Sequence, residues 1–473
     1  MNQLQPVTDG FIAQLAQSLP ASVIREVSPS YLTEQRGIYS GQAGVVLAPE
    51  NTQQVAEILS AANDARIGVI PYSGGTGLVG GQLAEDLPNP IILSTERMTQ
   101  IRGIYPDENV MIVEAGAILA DIRKHAHDNG RDFPLLLASE GSARIGGNLA
   151  TNAGGMNVLR YGNTRDLCLG VEAVLADGTI IHDLKRLRKD NTGYDIRNLL
   201  VGSEGTLGLI TAATLRVFTP PTHLITALMV VSDPKHAIDL LKLARSYAGE
   251  MISIFEIIGG QGFEFIRETY PDWRLPFTPS PQWMVLMEIG APDGVDGNRI
   301  WEALYEDAAE RELIVDGIQA QSAQQRDTLM GVRELIPAAN KAIGSISSHD
   351  ISLPISDIPQ FIEQAERRIS KIGPLRINCF GHLGDGNLHY NVFPPKGESK
   401  QAYKSIRGDI ADTVFDLVAQ FNGSFSAEHG VGRLKVGALE KYGDIGRLQA
   451  MRAIKNALDP NGIMNPGAVL RGR

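Results

Sequence analysis

Fourteen residues, FGHLGDGNLHYNVF from Phe380 to Phe393, bring together two histidines, one carboxylate, two amides and three glycines. Apolar residues at both ends, with glycines between them, predict two strand edges around a tight loop. Such a loop would aim His382 and His389 at one point. Their spacing of seven differs from the helical H-E-x-x-H pattern, but a second stretch, SAEHGVG, supplies Glu428 and His429. Two imidazoles and a carboxylate can ligate Zn2+ or Mn2+ and leave positions open for a substrate. The alternative is a pair of histidines that hydrogen-bond the backbone of a glycine loop, and the spacing does not choose between the two.

Glycine supplies a second kind of chemistry. PYSGGTGLVGG (Pro71–Gly81) holds five glycines in eleven residues, and only glycine lets successive N–H groups curl round a phosphate without side-chain clashes. Alone, the stretch reads equally as a tight turn between strands. SEGSARIGGNLATNAGGMNVLRYGNTRD (Ser139–Asp166) and NTGYDIRNLLVGSEGTLGLIT (Asn191–Thr211) add two more regions rich in small residues, hydroxyls and amides. Three such regions on one domain imply a large ligand. No G-x-x-x-x-G-K-[ST] occurs, which excludes a nucleoside triphosphate P-loop. The spacing and downstream acid of a nicotinamide-binding Rossmann turn are also missing, so the expected ligand is a different dinucleotide.

The elements that must position these residues follow from pattern. The segment VLAPENTQQVAEILSAANDARIGVIPYSGGTG reads strand, cap, helix, strand, glycine loop, with Asn51 or Thr52 as the cap and Val55, Ile58, Leu59 and Ala62 as the apolar face. From Pro90 to Thr219, short Val/Ile/Leu runs between glycine or Asp-Gly punctuation predict a mixed α+β domain. Pro220-Pro221 ends a strand and marks a boundary. Beyond it, repeated strand, loop and helix patterns predict an antiparallel sheet carrying helices on one face. An amphipathic helix stopped at Asp459-Pro460 predicts a tail that docks on another domain. The expected organisation is residues 1–219, 220–422 and 423–473.

A chain of 473 residues has room for two or three domains at roughly 100–200 residues each. Forty-three basic residues against 54 acidic ones leave a net charge of −11 without a basic stripe, which argues against nucleic acid as a partner. Cys168 and Cys379 lie in apolar settings and are expected to be buried thiols, not a disulfide or a metal site. The first twenty residues have no basic n-region and no arginine-rich amphipathic pattern, so neither a secretory nor a transit signal fits. No run reaches the ~20 apolar residues of a membrane span. The expected compartment is a reducing cytoplasm.

Taken together, PYSGGTGLVGG, GGNLATNAGG and VGSEGTLGLIT resemble the FAD-binding vanillyl-alcohol-oxidase-type flavoproteins. The likeness continues through GHLGDGNLHYN, SAEHGVG and ALDPNGIMNPG, and so covers nearly the whole chain. It is strongest to the D-2-hydroxyacid dehydrogenase branch: first the D-2-hydroxyglutarate dehydrogenases, then the D-lactate dehydrogenases and the FAD subunit of glycolate oxidase. The resemblance implies an α+β fold with a two-part FAD-binding domain, a substrate domain built on an antiparallel sheet and a C-terminal helical segment. It places the FAD pyrophosphate on Ser73, Gly74, Gly75, Thr76 and Gly77, flanked by Pro71 and Leu78. Gly141, Ser142, Gly146, Gly147, Asn148, Thr151, Asn152, Gly154 and Gly155 would run along the flavin. Glu204, Gly205, Thr206, Gly208, Ile210 and Asn465 would complete the cradle towards adenine and ribose. Some relatives attach flavin covalently through a histidine after the paired glycines. Thr76 occupies that position here, so the FAD is expected to be non-covalent.

The same resemblance implies a divalent metal, Zn2+ or Mn2+, on His382, His389 and Glu428, with His429 as catalytic base. Asn391 and Arg333 would bind the substrate carboxylate. Asp385 would either orient an imidazole or cap the turn in GDGN. In the close family a threonine four positions and a lysine fifteen positions after that arginine hold the second carboxylate of hydroxyglutarate. Pro337 and Ser348 stand there in this chain, so a second carboxylate would lose its main cation unless Lys341 takes the role. The implied activity is oxidation of a small D-2-hydroxy acid, with electrons passed to a protein or quinone acceptor and a homodimer as the candidate assembly. The rivals are a flavin-binding electron-transfer subunit without substrate chemistry and a non-redox enzyme of the alkylglycerone-phosphate synthase type.

Overall fold

The computed structural model describes residues 4–34, 37 and 39–472. They form two compact units. One comprises the described residues of Met1–Gly155, Gly162–Pro220 and Glu428–Arg473, and the other Met156–Tyr161 and Pro221–Ala427.

The first unit holds two sheets. Strands β1 (Ile24–Arg25), β2 (Val45–Leu47), β3 (Val69–Tyr72) and β4 (Ile91–Ser94) are ordered β1-β2-β4-β3, with β2 and β3 both parallel to β4. Asn51 starts the helix Thr52–Ala65 by accepting the Gln54 N–H at 3.0 Å. Val55, Ile58, Leu59 and Ala62 recur at helical spacing on its buried face, as their periodicity requires. Strands β5 (Ile101–Tyr105), β6 (Val110–Glu114), β7 (Cys168–Val174), β8 (Ile180–Asp183) and β9 (Leu209–Arg216) make an antiparallel sheet ordered β5-β6-β9-β7-β8. Thr52 of the helix donates to Glu172 of β7 at 2.5 Å, and Arg102 of β5 donates to the same carboxylate at 3.0 Å. This pairing satisfies a buried carboxylate that would otherwise be stranded beneath the helix.

The second unit is built on one antiparallel sheet of seven strands: β10 (His223–Val231), β11 (Ile252–Gly259), β12 (Trp283–Ala291), β13 (Asp316–Gln319), β14 (Ser347–Ser352), β15 (Arg376–His382) and β16 (Asn387–Phe393). Their order is β13-β10-β12-β11-β15-β16-β14. Helices cover both faces, where the sequence predicted one. Pro234–Ala248, Gly297–Glu310, Ile358–Ile369 and Arg407–Gln420 pack on one side. Gly260–Thr269 and Ala323–Ile343 pack on the other. The physical reason lies in the central strands: every residue of β11 is buried, so neither of its faces can meet water.

Candidate functional site

Strand register decides which side chains of the second unit meet. Opposed residues of an antiparallel pair share a face of the sheet. Glu256 of β11 opposes His382 of β15. Phe380 opposes His389, which in turn opposes Asp350 of β14, and Asn391 lies between Asn378 and Ser348. The alternate residues Leu388, Tyr390 and Val392 point into the apolar core on the other side. One strip of the sheet thus carries both histidines, with ring centroids 5.6 Å apart and planes at 78°.

Glu256, wholly buried, joins two of these groups. One carboxylate oxygen takes Nδ1 of His382 and the other accepts Nε of Arg333. Burial alone would raise the Glu256 carboxyl, but the charges of Arg333 and His382 outweigh it and hold the group down at about 2. Arg333, also buried, has its guanidinium carbon 4.7 Å from the Phe380 ring centroid. With Nδ1 engaged by a carboxylate, Nε2 is the nitrogen through which His382 could hold an ion, the arrangement common to metal-binding histidines. Sequence reasoning missed Glu256, although the signal was present: it is the only charged residue in the apolar strand ISIFEIIG.

The remaining residues of this strip are locally tied. Asp350 Oδ1 accepts Asn387 Nδ2 at 3.0 Å and lies 3.9 Å from His389 Nδ1. Asn391 Nδ2 approaches the His389 carbonyl at 3.5 Å. Asp385 caps the turn by accepting the Asn387 N–H at 3.2 Å, and burial pushes its carboxyl up to about 6. Gly386 has φ +87°, and a Cβ there would lie 2.3 Å from the Leu353 carbonyl oxygen, so the loop closes only with glycine. Lys341 and Ser348 are exposed, and Lys341 stands in the last turn of the helix that buries Arg333.

Glu428 and His429 belong to the first unit, directly after Ala427, whose N–H donates to the Asp350 carbonyl at 3.3 Å. Within the first unit Glu428 packs on Gly154, where a Cβ would come within 2.6 Å of its carboxylate oxygen. The residues that follow are anchored by Glu204, which accepts the N–H groups of Val431 and Gly432, both at 2.7 Å. Burial raises the Glu204 carboxyl. Both of its oxygens therefore serve the loop after His429. Glu204→Ala should lower stability by about 1–3 kcal/mol, the usual penalty for stranded buried donors, with a smaller loss in Glu204→Gln; denaturant unfolding of the FAD-loaded protein measures both. Arg433, also missed from the sequence, donates to the carbonyls of Gly80 and Gly81 at 3.1 and 2.9 Å and to Asn465 Oδ1 at 2.8 Å. Asn465 donates in turn to the Glu204 carbonyl at 2.8 Å. The tail is thereby fastened to the glycine loop.

That loop fits a diphosphate. The N–H groups of Gly74, Gly75, Thr76 and Gly77 find no acceptor among the described residues, and Asn148 Oδ1 is buried without a partner. A Cβ on Gly74 would lie 2.4 Å from the Ser142 carbonyl oxygen, and one on Gly205 would lie 2.7 Å from Pro71 Cγ. Gly147 donates to Ser73 Oγ at 3.1 Å, joining the first loop to the second. Unpaired donors beside a backbone that excludes side chains are what a pyrophosphate requires. The hydroxyls of Thr151 and Thr206 are turned to the carbonyls of Gly147 and Ser203, and Asn152 Oδ1 accepts the Arg165 N–H. Ile210 lies buried on β9.

Comparison with known proteins places the chain in a family. A family model described as "FAD binding domain" matches residues 43–183, and one described as "FAD linked oxidases, C-terminal domain" matches residues 220–469. The chain is 34% identical over 467 residues to the mitochondrial D-2-hydroxyglutarate dehydrogenase of Bos taurus, covering 98% of this chain and 84% of that protein. It is 32% identical to a D-2-hydroxyglutarate–pyruvate transhydrogenase of Saccharomyces cerevisiae, with 90% and 86% covered. A putative mitochondrial D-lactate dehydrogenase of Schizosaccharomyces pombe is 34% identical, with 90% and 82% covered. Among solved structures, p-cresol methylhydroxylase superposes with a TM-score of 0.78 at 15% identity over 99% of both chains. An alkyldihydroxyacetonephosphate synthase gives 0.73 at 16%, over 98% of this chain and 87% of that one. The solved structures share the fold, and the sequence matches reach further: the chain belongs to the FAD-linked oxidases, in the D-2-hydroxyglutarate dehydrogenase family of FAD-dependent D-2-hydroxyacid dehydrogenases.

Proposed function

We propose that this chain oxidises a D-2-hydroxy acid to the 2-oxo acid, for which bound FAD would accept the hydride from C2 and a protein or quinone acceptor would then take the electrons. The observation that carries the reading is the Glu256 carboxylate locking Nδ1 of His382 on the strip that also bears His389. His382, His389 and Glu428 form the proposed ligand set for a divalent ion, Zn2+ or Mn2+. Chain continuity supports Glu428, because it follows a residue hydrogen-bonded to Asp350, the cross-strand partner of His389. When bound, FAD supplies the hydride acceptor and the ion a Lewis acid for the 2-hydroxyl. His429 takes the hydroxyl proton as general base. Asn391 and the Nη donors of Arg333 orient the substrate carboxylate; among the described residues, Nε is the nitrogen of that arginine that donates to Glu256.

The substrate need not be hydroxyglutarate. Lys341 is exposed, and Pro337 and Ser348 offer no cation to a second carboxylate. This favours a shorter D-2-hydroxy acid such as D-lactate over the five-carbon diacid. No helix among the described residues is long and apolar enough to cross a membrane. A cytoplasmic location is part of the proposal, supported by two buried unpaired thiols.

Anaerobic bleaching of the flavin across a panel of D- and L-2-hydroxy acids tests the reading. Reduction by D-acids alone, abolished by chelation and restored by Zn2+ or Mn2+, is expected. Undiminished reduction after exhaustive chelation would remove the ion. No reduction by any hydroxy acid would favour a non-catalytic electron-transfer subunit.

A further inference from the structure

We propose that the arginine-lined cavity where β7 begins and β9 ends binds a small phosphoryl-bearing anion. The cavity, of about 380 Å³, lies in the first unit, and its walls carry Arg165, Arg188, Arg197, Arg216, Asp166 and Cys168. Its volume falls at the small end of ligand sites, room for a diphosphate or a compact phosphorylated metabolite.

The charge balance is the main argument. Arg165 spends its guanidinium on the backbone carbonyls of Asn198 and Val201, at 2.6 and 2.7 Å. Arg197 donates to the carbonyls of Cys168 and Leu169 and pairs with Asp195, yet its Nε is buried without a partner. Arg216 donates to the backbone carbonyl of Asp166 at 3.2 Å and lies over the Phe218 ring, 5.0 Å from its centroid, and among the described residues it has no carboxylate partner. Arg188 has no hydrogen bond or ion pair among the described residues, whereas Lys185 and Arg186 of the same loop pair with Asp190 and Glu108. Four arginines thus line a cavity whose lining holds one carboxylate, Asp166, with Asp195 paired to Arg197, an excess of positive charge in a chain whose net charge is −11.

Burial and the neighbouring charge of Arg188 both lower the pKa of Arg216, so the two cations are close enough to repel. A multivalent oxyanion offsets that repulsion and accepts the planar donor pairs that guanidinium presents. The cysteine in the wall adds no chemistry of its own, because burial pushes the Cys168 thiol up to about 12. Electrostatics and hydrogen bonding are therefore what the cavity offers. Nothing in the proposed dehydrogenation uses these arginines.

The test uses the full chain loaded with FAD, so that the cofactor already fills the glycine loops. Inorganic phosphate and diphosphate are titrated calorimetrically and in thermal unfolding, against chloride at equal ionic strength. One saturable site per chain is expected, with diphosphate tighter than phosphate and a rise in unfolding temperature that follows occupancy. In Arg188→Ala/Arg216→Ala the affinity should fall at least about tenfold, the loss of two charge-assisted contacts. Arg188 is exposed and unpaired, so Arg188→Ala alone keeps the fold and should still weaken binding several-fold. Flavin reduction should be unchanged in either variant. Absence of saturable binding, or equal affinity in wild type and Arg188→Ala, overturns the proposal.

Discussion

Glu256→Ala is expected to destabilise the second unit by about 3–5 kcal/mol, the range for breaking one side of a buried charge pair. The carboxylate sits on the fully buried strand β11, and its removal strands the Arg333 guanidinium, which is only 6% exposed. The same substitution unfixes the His382 ring, so affinity for the proposed ion should fall about 10–100-fold, as for other lost partners of metal-binding histidines. Urea unfolding and metal titration measure the two effects separately. The double variant Glu256→Leu/Arg333→Met removes both charges and should regain much of the stability, since well-packed apolar replacements are often neutral. It should not regain metal affinity. If it does, Glu256 has no part in orienting His382 and serves only to neutralise the arginine.

The second large effect belongs to His429. His429→Ala should leave FAD content and unfolding unchanged while slowing anaerobic flavin reduction by about 10²–10⁴-fold, the span of a lost general base. The loop that follows is held from Glu204 through Val431 and Gly432, and the truncation leaves both of these backbone anchors in place. Rapid-mixing measurements with a saturating D-2-hydroxy acid separate the chemical step from binding. A rate within twofold of wild type would exclude His429 as the proton acceptor. A fall in flavin content would instead make it part of the cofactor cradle.

Local rules carried much of the fold. The Asn51 cap, the helix face at Val55, Ile58, Leu59 and Ala62, and the strand pair around Gly386 all depend on residues a few positions apart, and all are visible in a single sequence. The placement of His382 and His389 on one strip follows from their ends of a hairpin. Pairings across long sequence separations were not legible. Glu256 and His382 are 126 positions apart, and Glu204 and Gly432 are 228 apart. Periodicity says which face a residue takes, not which distant strand lies opposite. The single-sided helix layer failed for a related reason: a continuous apolar run such as β11 is compatible with cover on both faces, and alternation was the assumption that hid it.

The bridge between Val69 and Met464, with the Arg433 contacts to Gly80 and Gly81, implies an expected order of assembly. Residues near the start of the chain wait for partners translated some four hundred positions later, while Pro221–Ala427 can collapse as soon as it leaves the ribosome, gaining a short earlier strap. Cofactor capture is then expected to be among the last events in biogenesis, and a ribosome stalled before Glu428 is expected to hold a completed sheet domain attached to an unclosed dinucleotide cradle.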